Sequence, residues 1–186
     1  IGYHKYDFKR KGDNLSINSE VNFKIKKLGV DLYKYFAKSE ENYKNGNFTS
    51  YSSKTKQNNK DRYVKINFDP VENNLIIDGS SYKGKANKEF IVGTWWNHEI
   101  VKTKAQISGI SGRIIEQTVT FIGKEEVKID NKIYKTLRFN FKSSDKTLPD
   151  SKKLNTDIWY EEESYLWVKA AFEKTGYWEY RIKKVN

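Results

Sequence analysis

Asn97 and His98, side by side, together with Arg113, are the residues whose types could do acid–base chemistry on an acidic substrate. An Asn or Arg beside a uronate carboxylate neutralises the charge that builds when a neighbouring proton leaves. A His or Tyr can take that proton and return another. That is the equipment of a lyase acting on acidic polysaccharides, with Asn97, His98 and Arg113 as its catalytic residues. These are also common residue types in proteins without catalysis, and spacing alone does not bring them together. Other chemistries find less support. His4 and His98 stand far apart without a ligand-like spacing to carboxylates, so no metal site is expected. Ser108-Gly109-Ile110-Ser111-Gly112 lacks the Gly-x-Ser-x-Gly order and reads as a Gly-rich turn. Phosphate-loop and dinucleotide fingerprints are missing, and no cofactor is expected.

The second candidate chemistry is binding by aromatic rings. Thr94-Trp95-Trp96-Asn97-His98-Glu99 holds two of the five Trp and one of the two His. An indole covers ~150–250 Å², which at ~25 cal/mol per Å² makes each buried ring worth up to ~4–6 kcal/mol. Something must cover these rings, either the chain's own core or a ligand. If the stretch is extended, the two indoles point to opposite faces, one into the core and one toward a cavity or solvent. The leading functional reading is therefore a binding or carrier protein for a small hydrophobic or amphiphilic ligand, with Trp95, Trp96, Asn97, Tyr160 and Trp178 as ligand-binding residues. The lyase on acidic glycans is the alternative, and a structural or interaction module of the cell envelope is the second alternative.

Net charge is +11, which invites a polyanionic partner. Lys outnumbers Arg heavily, however, and Arg is preferred for bidentate phosphate and base-edge contacts. Only Arg10, Arg62, Arg113, Arg138 and Arg181 are present. The charge reads as diffuse, so specific nucleic-acid binding is not expected, while an acidic glycan or a peripheral contact with the cell envelope remains open. With no Cys there is neither a disulfide framework nor a thiolate metal site. The chain also has no Met, so Ile1 is not a translation start. The expectation is a removed signal segment, a periplasmic or extracellular location, and a monomer.

The elements that must position these residues are strands. Leu15, Ile17, Ser19, Val21, Phe23 and Ile25 alternate with polar residues, the period of a half-buried strand. Asn45-Gly46 predicts a type I′ hairpin, and Leu28-Gly29, Asn58 to Asp61, Gly123, Asp130 to Lys132 and Lys174 to Gly176 predict further breaks or turns. Residues 86–92 could make a helical turn or two, and Asn97 with Glu99 could cap a short helix through 104. After that crossover, 113–122, with Ile115, Val119 and Phe121 inward, 133–141, 156–161, 165–173 and 178–183 read as strands. The expected fold is all-β: a single domain over 1–186, an antiparallel meander forming a closed or nearly closed barrel-like structure, with one or two short helices in the middle crossover.

Several short motifs resemble one family. They are Ile1-Gly2-Tyr3-His4, Trp96-Asn97 after the aromatic at 95, Asp157-Ile158-Trp159-Tyr160, Trp167-Val168, Phe172, Gly176 and Glu179-Tyr180. The set is similar to an uncharacterised exported bacterial all-β family, the catalogued domain of unknown function number 6134. Val92-Gly93 stand where that family carries a Pro-bearing approach to the Trp pair. The resemblance implies an exported, barrel-like β protein and no established activity.

Overall fold

The computed structural model describes residues 2–27, 30–173 and 176–185. Ile1 of the opening motif, the Leu28-Gly29 break and Lys174-Thr175 of the last turn lie outside the described residues. Strand makes up 67% of the chain and helix 5%, so the all-β class holds. Two sheets run as antiparallel meanders, and one of them forms a half-barrel.

The first sheet follows sequence order: β1 (Gly2–Lys11), β2 (Asn14–Lys27), β3 (Val30–Lys44), β4 (Asn47–Gln57), β5 (Lys60–Asp69), β6 (Asn74–Gly79) and β7 (Lys83–Asn87). Two-residue turns join β1 to β2, β3 to β4 and β4 to β5. At Asn45-Gly46 both residues have positive φ, 51° and 76°, as a type I′ hairpin requires. The second sheet contains β8 (Ile91–Val92), β9 (Ala105–Ile107), β10 (Ile114–Ile129), β11 (Lys132–Ser143), β12 (Asn155–Glu161), β13 (Trp167–Glu173) and β14 (Tyr177–Arg181).

Three expectations need correction. Residues 86–92 are not helical: Ala86 pairs with Leu75 in the first sheet, and Asn87 turns the chain by accepting the Glu89 N–H on its side chain and the Phe90 N–H on its carbonyl. An Asn that satisfies nearby N–H groups this way favours a turn over a helix. Gly123 does not end a strand. It sits in a bulge of β10, φ 154°, where the register with β11 shifts between Phe121 and Gly123. Phe121, expected inward, faces Phe139 with centroids 5.4 Å apart yet stays 53% exposed.

The chain forms two compact units, Ile1–Val92 with Ile107–Ile114, and Gly93–Gln106 with Ile115–Asn186. In unit 1 the core is a block of Tyr51, Val64, Ile66, Leu75, Ile77, Ala86, Val92 and Ile107. The segment 107–114 lies on it. Its Gly109 carbonyl accepts the hydroxyls of Tyr51 and Ser53, and Gly79 must lack a side chain because a Cβ there would meet the Ser111 carbonyl oxygen at 2.4 Å. Register aligns Phe8, Ile17, Glu41, Tyr51, Ile66 and Ile77 in one row across six strands. Glu41 is thus a carboxylate inside an apolar row, 2% exposed, and it accepts the Tyr43 hydroxyl at 2.6 Å. That bond offsets part of the desolvation cost of the charge.

Unit 2 buries a different kind of centre. Trp159 on β12 is 3% exposed, within a cluster of Val127, Ile129, Val168 and Ala171. The Arg138 guanidinium lies 4.9 Å and the Lys169 ammonium 4.5 Å from its ring centroid, and its indole N–H donates to Glu125. Lys169 pairs with Glu179 at 3.0 Å, both largely buried, and Arg138 pairs with Asp157. Burial pushes the Glu179 carboxyl up, but hydrogen bonds from Arg181, Lys169 and Tyr177 outweigh it and hold it below its ordinary value.

Candidate functional site: the Trp95 turn

The segment 93–104 in unit 2 contains one short 3₁₀ turn, His98–Lys102, in place of the expected helix through 104. Asn97 is its N-cap. The side-chain oxygen of Asn97 accepts the Glu99 N–H at 3.1 Å, and Glu99 and Lys102 complement the turn's two ends. The buried Gln117 on β10 holds the turn in place, donating to the carbonyls of Ile100 and Thr103 at 3.2 Å each, while Gln106 donates to Gln117 at 2.6 Å. Two side-chain amides thereby satisfy one another and two loop carbonyls, a local solution to an otherwise costly burial.

Ahead of this anchored turn the backbone folds back sharply. The Trp96 N–H donates to the Thr94 carbonyl at 2.8 Å, and the residue between, Trp95, has φ 62°. A two-residue-spaced hydrogen bond around a positive-φ centre is the rare, strained form of the γ-turn. For a bulky aromatic that conformation costs of order 1–3 kcal/mol and persists only where surroundings over-determine it. The surroundings are plain. Tyr160, 1% exposed, donates its hydroxyl to the Trp95 carbonyl at 2.8 Å, and burial holds the phenol far above its ordinary pKa, so it stays a donor. The Trp95 ring meets Trp167 edge-on at 5.4 Å and Tyr180 at 5.9 Å, while Tyr180 also lies 6.3 Å from Phe172. The Trp pair is therefore not extended at Trp95, where a γ-turn takes the place of that geometry.

The structure joins Trp95 and Tyr160 in one cluster, adds Trp167 and Tyr180, and leaves Asn97 as the cap of the adjoining turn. Trp178, on β14, stands opposite Phe172 and is half-buried, as is Trp96. Of the residues proposed for a lyase, His98 stacks on Tyr165 at 4.5 Å and reaches Glu99 at 3.1 Å. Arg113 lies in unit 1, where burial lowers its guanidinium pKa, and its carbonyl accepts the Ser108 N–H. One groove is lined by residues of β1 to β4 and another by residues between Asn73 and Glu89, and neither is lined by Trp95, Trp96 or Asn97. Among the described residues no cluster of three or more His, Asp or Glu is placed to hold a metal ion, and no helix is long and apolar enough to cross a membrane.

Sequence reasoning missed Trp167 and Tyr180 as partners of Trp95. Their signal was present: both fall in the motifs shared with the family, and Tyr180 alternates with Glu179 and Arg181 on the face of Trp178. Glu41 was missed because nothing in a charged, Lys-rich strand marks one Glu as inward except the two-residue period itself.

Comparison with known proteins gives one result. The family model described as a domain of unknown function, DUF6134, matches residues 1–183. No curated protein and no solved structure matches the chain. The chain belongs to that family.

Proposed function

We propose that this member of the DUF6134 family is an exported protein that binds a small hydrophobic or amphiphilic ligand on the aromatic cluster around Trp95, and does no chemistry on it. One observation carries the reading. A bulky residue is held in a strained γ-turn by a buried tyrosine, and its ring is packed against two further aromatics that are themselves half-buried. A structural core has no need to fix a Trp in that conformation, whereas a recognition surface gains from rigid aromatic area that loses little entropy on binding. The amphiphilic character of the ligand follows from indole and phenol groups, which offer apolar faces with polar edges. Export is supported by the family resemblance.

The test is titration of the protein with a fluorescent amphiphile, anilinonaphthalene sulfonate, and with long-chain fatty acids as competitors. Trp95→Ala and Trp167→Ala should each weaken binding about tenfold or more while the chain stays folded, about 1.4 kcal/mol of binding free energy. Affinity unchanged in both variants contradicts the reading. An ultraviolet assay for unsaturated uronates on a panel of acidic glycans should stay blank; product that disappears in His98→Ala would establish the lyase instead.

A further inference from the structure

The two edges of the first sheet are unlike. At one edge β7 has five residues and carries the buried Ala86. At the other, β1 has ten residues, contains no Pro and pairs with β2 from Gly2 to Lys11 without a bulge. A long, unbulged edge strand offers a row of backbone N–H and C=O groups to a further strand. Register puts His4, Tyr6 and Phe8 on the face of the buried Ile17 and Val21. Their rings run together, 4.4 Å from His4 to Tyr6 and 6.0 Å from Tyr6 to Phe8. This face opens at the edge: Ile17 is 2% exposed, and Phe8 opposite it is 51% exposed.

The other face of β1 carries Tyr3, Lys5, Asp7, Lys9 and Lys11. Lysines on an edge ordinarily keep a second strand away. Asp7, between Lys5 and Lys9, makes an exception for a strand whose charges mirror these. Its 3.5 Å pair with Lys9 is exposed and screened by water. Across the strand pair Lys5 faces Glu20, which already accepts the Tyr3 hydroxyl and pairs with Lys38 at 3.2 Å. A second β1 running antiparallel supplies the mirrored charges. Only registers that differ by two residues keep the rings on one face, because a one-residue slip sends them to the other. Centred on His4, the pair leaves both charges unmatched. Centred on Lys5, it sets Lys5 against its own copy; centred on Asp7, it brings two carboxylates together. Centred on Phe8, it sets Lys5 against the partner's Lys11. Centred on Tyr6, each Lys5 meets the partner's Asp7 and each Phe8 meets the partner's His4, and no like charges face one another.

We infer that β1 is a homodimer interface: two copies pair edge to edge and antiparallel about a two-fold axis at Tyr6, so that the first sheet runs from one copy into the other. Main-chain hydrogen bonds supply the affinity, and the charge and ring pairs across the new strand pair select the register. The pairing covers the half-exposed Phe8 with the partner's His4. It is isologous, so assembly closes at two copies. This dimer stands against the monomer expected from the sequence. An extended peptide without the mirrored charges is the lesser fit, because it meets the lysines with nothing to match them.

Sedimentation velocity of the intact chain decides it, over protein concentrations of about 1 μM to 1 mM. A dimer should grow with concentration, with no larger species. Lys5→Glu and Asp7→Lys, both at exposed positions, should each weaken dimerisation about tenfold or more, because each turns two attractive pairs into repulsive ones. An equimolar mixture of the two variants should recover association to within about twofold of the parent chain, since the mixed pair matches its charges again. Recovery on mixing also excludes misfolding as the cause of the loss. A monomer throughout, association untouched by either variant, strengthening by Lys5→Glu, failure of the mixture to recover, or assembly beyond two copies overturns the inference. All of these measurements read association without ligand, so none of them bears on the Trp95 reading.

Discussion

The two sheets are both antiparallel meanders, yet what stands beside the buried aliphatic residues at their centres differs. In unit 1 the rows through Val64, Ile66, Leu75 and Ile77 form an aliphatic block, with exposures of 0–2%. In unit 2 the buried Trp159 lies between Arg138 and Lys169, and its neighbours pair with Glu125, Asp157 and Glu179. The first centre depends on excluding water from hydrocarbon, and the second adds to its hydrocarbon a set of charges that must stay matched. The same two-residue alternation therefore supports two energetic regimes, and they should fail under different conditions.

The largest expected difference comes from truncation. Ile66→Ala, at a site with no exposure, should cost about 2–5 kcal/mol in denaturant unfolding and change little with salt. A cost well under 1 kcal/mol would show that the block is loosely packed.

Acid should next separate the two units. Burial lowers the His4 imidazole from 6.5 to about 4, so between those values the unfolded chain holds a proton that the folded chain refuses. Stability contributed by His4 is complete above about pH 6.5 and falls as pH drops toward 4, by at most on the order of 3 kcal/mol. His4→Phe, which keeps a ring against Tyr6, should flatten that slope in unfolding curves collected between these pH values. In unit 2 the lowered Glu179 carboxyl acts in another window. Its contribution is present above the ordinary glutamate value of about 4.5 and is lost as pH falls below it. A slope between pH 4 and 6.5 unchanged in His4→Phe would assign that acid sensitivity elsewhere.

Lys169→Met should cost about 1–3 kcal/mol, because it removes a cation from the Trp159 face and one partner from Glu179, which keeps Arg181. Unlike Ile66→Ala, it should also raise the pH at which unit 2 loses stability in acid. A smaller effect again is expected at the site itself. Asn97→Ala removes a cap from a single 3₁₀ turn and should cost about 0.5–2 kcal/mol, read by denaturant unfolding.

Strands were the legible part of this fold because their signal is periodic. The faces of β2, β5 and β14 can be read directly from Leu15 to Ile25, Val64 to Phe68 and Trp178 to Tyr180, and Asn45-Gly46 announces its own turn. Less was legible where backbone and tertiary contacts decide together. Ala86 to Val92 has no strong period: Ala86 is strand through its partner Leu75, and Asn87 then turns the chain. Gly123 lacks the Asn that precedes Gly46, and a bulge inside a long pair uses a lone glycine as readily as a turn does. At the site, the aromatic identity of Trp95 was visible, while its γ-turn was not. Positive φ in a Trp is set by the Tyr160 hydroxyl, 65 residues away in sequence. No local pattern encodes such a bond.

On the proposed reading Trp95 and Trp167 face a ligand, whereas Trp159 is 3% exposed beside Arg138 and Lys169. Nitrogen-labelled protein reports on it directly, because each indole N–H gives its own resonance. Titration with a long-chain fatty acid should shift the Trp95 and Trp167 indole signals together, saturably, and leave that of Trp159 in place. A titration that moves Trp159, or that leaves Trp95 and Trp167 where they were, would contradict it.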